Sequence, residues 1–438
     1  MLHLFTGKSE NNTMECDKKE KIEVEMQLYE GRVLKSPDIL QELKDRVIKF
    51  LVNCREAWKA NRIIYGKDLD DKVVESHVQS IVVGNQIPPD ASPEDLEFFC
   101  YVAKSHGPEA EPLSGGENDS NDVTASNHWI LPCTDFVGLW ENLIYEDGIK
   151  EHILNYVETS MTFAEKQINS NIICCNRIVL LHGPPGMGKT SLCRAVAQKI
   201  SIRFQDKYQY IHLVEINSHS LFSKWFSESG KLVQQLFTQL REIVENPSSM
   251  VCILIDEIES VAFARTSLSN NEPSDSVRAV NAVLTQLDQI RKYNNVVILA
   301  TSNLTGNIDV AFLDRADIKQ FIGSPTERAI ALIYQTILHE LVRVGLVVPD
   351  EASGYLMNEL NEYHLHKDFM KLCRLSQGIS GRTLRKIPML AHAYFIDHRG
   401  KNHRRGISLT EFIAAMCCAI VKHTEDTEMV NKPGNLGN

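Results

Sequence analysis

The stretch Ile178-Val-Leu-Leu-His-Gly-Pro-Pro-Gly-Met-Gly-Lys-Thr190 decides the fold. Four consecutive apolar residues, Ile178 to Leu181, predict a short buried strand. Gly183, Gly186 and Gly188 let the main chain curl around Pro184, Pro185 and Met187, and Lys189, Thr190 and Ser191 open a helix. Strand, glycine loop and helix in this order make a phosphate-binding loop. Its main-chain N–H groups can surround a phosphate, and the helix N-terminus adds its dipole. Lys189 then neutralises the outer phosphate oxygens, and Thr190 offers its hydroxyl to a magnesium ion.

Downstream residues complete that chemistry. Val251 to Ile255 is a fully apolar strand, as expected inside a parallel sheet, and it ends in Asp256-Glu257. Asp256 is placed to hold magnesium through water, and Glu257 to polarise the attacking water. Val296 to Ala300 is another buried strand and leads into Thr301-Ser302-Asn303. The Asn303 amide is a candidate for holding the lytic water or touching the γ-phosphate; the plain alternative is a turn asparagine. Arg315, in Leu313-Asp-Arg-Ala-Asp317, has no phosphate of its own chain in reach. It either crosses to a neighbouring subunit's nucleotide or makes a surface salt bridge. Gly381-Arg382 opens a later helix from which Arg382 can meet the β- or γ-phosphate, and Arg385 follows one turn on.

Two aromatic positions are open to two readings. Lys224-Trp225-Phe226 sits in a polar loop, where exposed aromatics usually meet a partner; otherwise the rings belong to the core. Upstream, Gly138 can present its main chain to an adenine ring, with Trp140 beside it or simply buried.

The remaining chain divides by composition. Residues 1–105 predict a small α+β domain, with a strand at Ile22 to Leu28, a helix from Pro37 to about Asn61 and a strand at Ile81 to Val83. Residues 106–128 are rich in Gly, Ser, Asn, Asp, Glu and Pro and read as a flexible linker. An α/β nucleotide-binding unit spans 129–325, a helical unit 326–425 with a last helix at 408–423, and a disordered tail 426–438. The net charge of −11 argues against general nucleic-acid binding. No stretch has the length and apolarity of a membrane span, and no secretory signal opens the chain. The eleven cysteines lack disulfide or zinc spacing and read as reduced, in an intracellular protein.

In order and spacing, Gly183 to Thr190, Ile253 to Glu257, Asn303, Arg315 and Gly381-Arg382 resemble the motifs of the AAA+ ATPase family. The resemblance implies a parallel α/β core with a helical lid beside the small N-terminal domain, ATP and Mg2+ as ligands, and a homo-hexamer. It assigns Asn303 and Arg382 as phosphate sensors, Arg315 as a finger acting between subunits, and Lys224, Trp225 and Phe226 as a substrate-gripping loop facing a central channel. Typical members carry an Arg-Pro-Gly-Arg-Phe-Asp segment with two arginines, whereas only Asp314-Arg315 stands here. Within the family the chain resembles the pachytene checkpoint branch, on Phe222-Ser-Lys-Trp-Phe-Ser-Glu-Ser-Gly-Lys231, Asp314-Arg-Ala-Asp-Ile-Lys319 and Ser380-Gly-Arg-Thr-Leu-Arg-Lys386. That branch implies a remodeller that opens closed HORMA-domain proteins with a HORMA-like adaptor, in spindle-checkpoint silencing and meiotic chromosome-axis control. It implies a place in the nucleus, at chromosomes and kinetochores, and in the cytoplasm, with no direct nucleic-acid or membrane partner. A nucleic-acid-acting ATPase and a nucleotide-gated scaffold are the alternatives; steady-state ATP turnover, with and without DNA, separates the three.

Overall fold

The computed structural model describes residues 21–31, 36–53, 63–84, 92–113, 123–146, 148–169, 172–218, 229–259, 274–303, 308, 310–350, 367–396 and 406–431. The chain divides into two units, residues 1–102 and 103–438.

In the first unit, alternating residues of β1 (Ile22–Leu28) turn Ile22, Val24, Met26 and Leu28 to one face. They pack with Leu43, Val47 and Leu51 of the Pro37–Asn53 helix, whose four-residue spacing makes a single apolar stripe. With β2 (Ile63–Tyr65), β3 (Val78–Val83) and β4 (Leu96–Val102), β1 forms a sheet in the order β2-β3-β1-β4. β1 runs parallel to β4 and antiparallel to β3. Residues 54–62, where the helix was expected to continue, lie outside the described residues.

The second unit is built on seven strands: β5 (Glu109–Leu113), β6 (Val123–Leu131), β7 (Ile178–His182), β8 (Tyr210–Asn217), β9 (Ser249–Asp256), β10 (Val296–Ser302) and β11 (Ile318–Phe321). Their order is β11-β7-β10-β9-β8-β6-β5. The expected parallel core is present: β11, β7, β10, β9 and β8 are parallel, and β6, antiparallel to β8, and β5, antiparallel to β6, extend it at one margin into a mixed sheet. One expectation is corrected here. Much of the segment read as a flexible linker forms β5 and the start of β6. An antiparallel pair at a sheet margin does not need an apolar run, and β5, as the edge strand, accepts Pro112. The composition therefore looked like linker.

Period-two alternation feeds two cores. Ile178 and Leu180 of β7 join Val251, Ile253 and Ile255 of β9 under the helices Ser229–Val244 and Ser274–Ile290. Val179 and Leu181 join Cys252 and Leu254 on the other face, under the helices Ile149–Glu165 and Lys189–Arg203. Trp140 belongs to this second core, and two ammonium groups, Lys150 at 4.9 Å and Lys199 at 5.7 Å, lie over its ring. Lys199 pairs with Glu141 at 2.9 Å, both side chains buried, while Lys150 donates to the Trp140 carbonyl and is drawn by burial down to about 8. Glu141→Ala would remove the buried carboxylate that Lys199 pairs with and that also acts on Lys150. A cost of about 3–5 kcal/mol is expected, read as a lower Tm; an unchanged Tm would show that the charges are relieved elsewhere.

The lid comprises helices Glu327–Arg343, Lys367–Leu375, Gly381–Leu384, Ile387–Phe395 and Leu409–Asn431, around Tyr334, Phe369 and Phe412. Thr326 starts it by accepting the Ala329 N–H. The last helix runs to Asn431, into the segment expected to be disordered. Its final turns are exposed and mostly polar, Met429 and Val430 apart, a composition that a solvated helix shares with a disordered tail.

Candidate nucleotide site

β7, β10 and β9 are neighbours and parallel, so their C-terminal ends bring the glycine loop, Asn303 and Asp256 to one edge. Ligands of open α/β sheets bind at that edge. The loop is anchored where the Gly183 N–H donates to the Ser302 carbonyl at 3.2 Å.

Lys189 is buried at the base of the following helix. Its ammonium donates to the Gly183 and Pro184 carbonyls, each at 2.8 Å, and to Asn303 Oδ1 at 2.9 Å. Burial lowers its pKa from the usual lysine value, and Arg382 adds to that; Glu259, Asp256 and Glu257 oppose it. The Asn303 amide spans two groups, because its Nδ2 donates to Glu257 Oε1 at 3.1 Å. The cation and the candidate base are thus joined through one side chain.

Asp256 Oδ1 accepts from Thr190 Oγ1 at 2.7 Å and from Thr301 Oγ1 at 2.5 Å. Thr301 Oγ1 also accepts the Glu257 N–H at 3.1 Å. Glu257 itself takes the left-handed conformation, φ 53°, which turns the chain sharply off β9. Non-glycine residues store strain in this region, and functional sites are where it concentrates.

These groups line a cleft of about 920 Å³. Pro185 to Ser191, Asp256, Glu257 and Asn303 form its floor, and Arg382 and Arg385 come from the lid. Arg382 is held there because its N–H donates to the Gly186 carbonyl at 3.0 Å. Leu143 to Glu146 and Ile149 form a third wall. Tyr145 donates to the Gly188 carbonyl at 3.0 Å. Leu143 and Tyr145 pack on the sheet's core while Ile144 packs on the lid's, so this segment belongs to both.

Other candidate residues lie apart. Gly138 is not among the cleft-lining residues; it precedes the short Leu139–Asn142 helix, and its carbonyl accepts from Asn142 Nδ2 at 2.8 Å. Arg315 is outside the cleft and forms a bidentate pair with Asp288, at 3.0 and 2.8 Å, which holds the aspartate below the usual carboxylate range. Lys224, Trp225 and Phe226 fall outside the described residues. Sequence reading passed over Tyr145, Thr301 and Glu259. For Thr301 and Glu259 the available signal was position, at the end of β10 and three residues past Asp256.

A mixed sheet with a phosphate loop, an acidic strand end and a helical lid defines a P-loop ATPase of the AAA kind. The model of the ATPase family associated with various cellular activities matches residues 179–324, and that of the TRIP13-like AAA+ ATPase lid C-terminal domain matches residues 326–424. Pachytene checkpoint protein 2 homolog of Gallus gallus is 43% identical over 84% of this chain and 87% of its own length. The Homo sapiens homolog is 42% identical over 86% and 89%. The solved structure of C. elegans PCH-2 superposes with a TM-score of 0.74 and 31% identity, covering 93% of this chain and all of that one. The chain belongs to the pachytene checkpoint protein 2 family of AAA+ ATPases; it binds ATP and hydrolyses it.

Proposed function

We propose that this ATPase works as a homo-hexamer that uses Mg2+ and ATP to convert closed HORMA-domain proteins to their open state, presented by a HORMA-like adaptor. The observation that carries the reading is the bonded sequence Lys189–Asn303–Glu257, a complete hydrolytic arrangement, in a chain related to pachytene checkpoint proteins over most of its length. The biological setting that follows is spindle-checkpoint silencing and meiotic chromosome-axis control, in the nucleus at chromosomes and kinetochores and in the cytoplasm. Neither nucleic acid nor membrane is needed as a direct partner.

Within the site, Lys189 and the loop N–H groups bind the phosphates, and Arg382 meets them from the lid. Glu257 takes a proton from the attacking water, and Asn303 keeps Glu257 oriented. Thr190 and Asp256 supply a hydroxyl and a carboxylate, the hard oxygen donors that magnesium prefers, and are the residues that would hold it. A bound magnesium ion would neutralise charge on the phosphate oxygens. Arg315 acts on a neighbouring subunit's nucleotide, and Lys224, Trp225 and Phe226 grip the chain being remodelled.

The test is ATP turnover and substrate conversion, measured with and without a HORMA substrate and adaptor. Stimulation and conversion are expected; DNA-stimulated turnover without them would replace the reading. A truncation separates engine from recognition. The sheet begins at β5 and Lys104 bridges to Cys133, so the cut belongs after Val102. The chain starting at Ala103 is expected to keep basal turnover and lose adaptor-dependent conversion. Retained conversion would rule out a recognition role for the first unit.

A further inference from the structure

We infer that Glu259 is a positioning residue for hydrolysis, holding Asn303 so that its amide spans Lys189 and Glu257. The inference rests on the reading of Glu257 and Asn303 given above.

Glu259 is only 7% exposed. Its Oε1 accepts the Asn303 main-chain N–H at 2.8 Å, and its Oε2 is buried with no partner among the described residues. A carboxylate taken out of water with one oxygen unsatisfied is a costly choice at a position where a smaller neutral residue would fit a helix start equally well. What it provides is a bond in a place the sheet does not reach. The register of β9 and β10 ends at Ile255 and Ala300. Beyond it, Glu257 and Asn303 leave two different strands, and among the described residues three bonds donated by main-chain N–H groups join the two turns, beside the side-chain bonds Asn303–Glu257 and Thr301–Asp256. The Glu257 N–H donates to Thr301 Oγ1 at 3.1 Å, the Ile258 N–H to the Thr301 carbonyl at 2.9 Å, and the Asn303 N–H to Glu259. The first two fix the start of the acidic turn. Of these three, the third is the one that holds the main chain of Asn303.

The geometry of the amide makes that grip matter. Asn303 must direct Oδ1 to Lys189 and Nδ2 to Glu257 at once, at 2.9 and 3.1 Å. A side chain with two rotatable bonds meets both only if its Cα is fixed. A displacement near 1 Å at a reacting centre costs on the order of 10²-fold in rate. Glu259 is not among the residues that line the cleft, and it acts through Asn303.

Steady-state turnover and nucleotide affinity on the full-length chain test this, using Glu259→Ala, Glu259→Gln, Glu259→Asp and Asn303→Ala. Glu259→Ala is expected to lower kcat by about 10²-fold with KM and nucleotide affinity little changed. Glu259→Gln keeps an acceptor oxygen at the same reach and is expected to restore most of the rate. Glu259→Asp, one methylene short, is expected to be slow. The double variant Glu259→Ala, Asn303→Ala should be no slower than Asn303→Ala alone, since the two act as one unit. Normal kcat in Glu259→Ala, or Glu259→Gln as slow as Glu259→Ala, overturns the inference. If Glu259→Ala does not fold, Glu259→Gln against Glu259→Asp decides, and equal rates overturn it. Normal turnover in Asn303→Ala would instead overturn the reading of the site itself.

Discussion

Glu257→Gln is expected to bind ATP with near-normal affinity and to hydrolyse it about 10²–10⁴-fold more slowly, the range a positioned general base contributes. The substitution is nearly isosteric. Glutamine can still accept the Asn303 Nδ2–H that Glu257 Oε1 accepts at 3.1 Å, so the local geometry has no reason to change. Asp256 keeps its bonds to Thr190 and Thr301, and Lys189 keeps its acceptors, so phosphate binding is preserved. What is lost is the capacity to take up a proton. Nucleotide affinity and single-turnover hydrolysis, measured on the same preparation, separate the two effects. A variant that turns over normally would show that the base is another group.

Gly183→Ala is expected to remove nucleotide binding and lower stability by several kcal/mol, in the tail reserved for named backbone and packing faults. A Cβ at Gly183 would lie 2.1 Å from the Ile322 carbonyl oxygen and 3.0 Å from its carbon. These are main-chain atoms with no rotamer to change. Ile322 is fixed in turn, because its N–H donates to the His182 carbonyl at 2.8 Å. Gly183 also sits at φ +144°, where a side chain is strained whatever the space. The clash can be relieved only by parting β11 from β7, and the loop moves with β7. Gly107→Ala is the matched control, since its Cβ would meet nothing within 4 Å. Tm and nucleotide affinity of the two variants check the expectation; if both behave alike, the loop tolerates displacement that this packing forbids.

The parts of the site legible in the sequence are those whose chemistry is local. The phosphate loop announces itself because glycine, lysine and threonine must fall at fixed offsets along one turn. Asp256 and Asn303 could be placed because each ends an apolar run. Position alone marked Glu259 and Thr301, but their roles were not legible, since these depend on which residues face each other across β9 and β10 beyond the last paired residues, and a single chain does not print that register. Composition misled at the margins of the fold for a related reason. β5 is a polar edge strand and the end of the last helix is solvated, so neither needs the apolar periodicity by which buried elements are recognised. Tyr145 and Ile144 were missed because their neighbours in space come from the glycine loop and from the lid.

The segment Leu143–Glu146 has a thermodynamic consequence. Its successive side chains are shared between two cores, Leu143 and Tyr145 with one and Ile144 with the other, and the lid's Arg385 donates to the Asn142 carbonyl at its start. The same four residues wall the cleft. A nucleotide pressing on this wall and a change of lid orientation therefore act on one set of peptide units. Linkage makes the effect mutual: whatever factor a nucleotide applies to the lid's equilibrium, a partner that biases the lid applies to nucleotide affinity. A protein being worked on through the lid would thus tighten or loosen ATP without touching it.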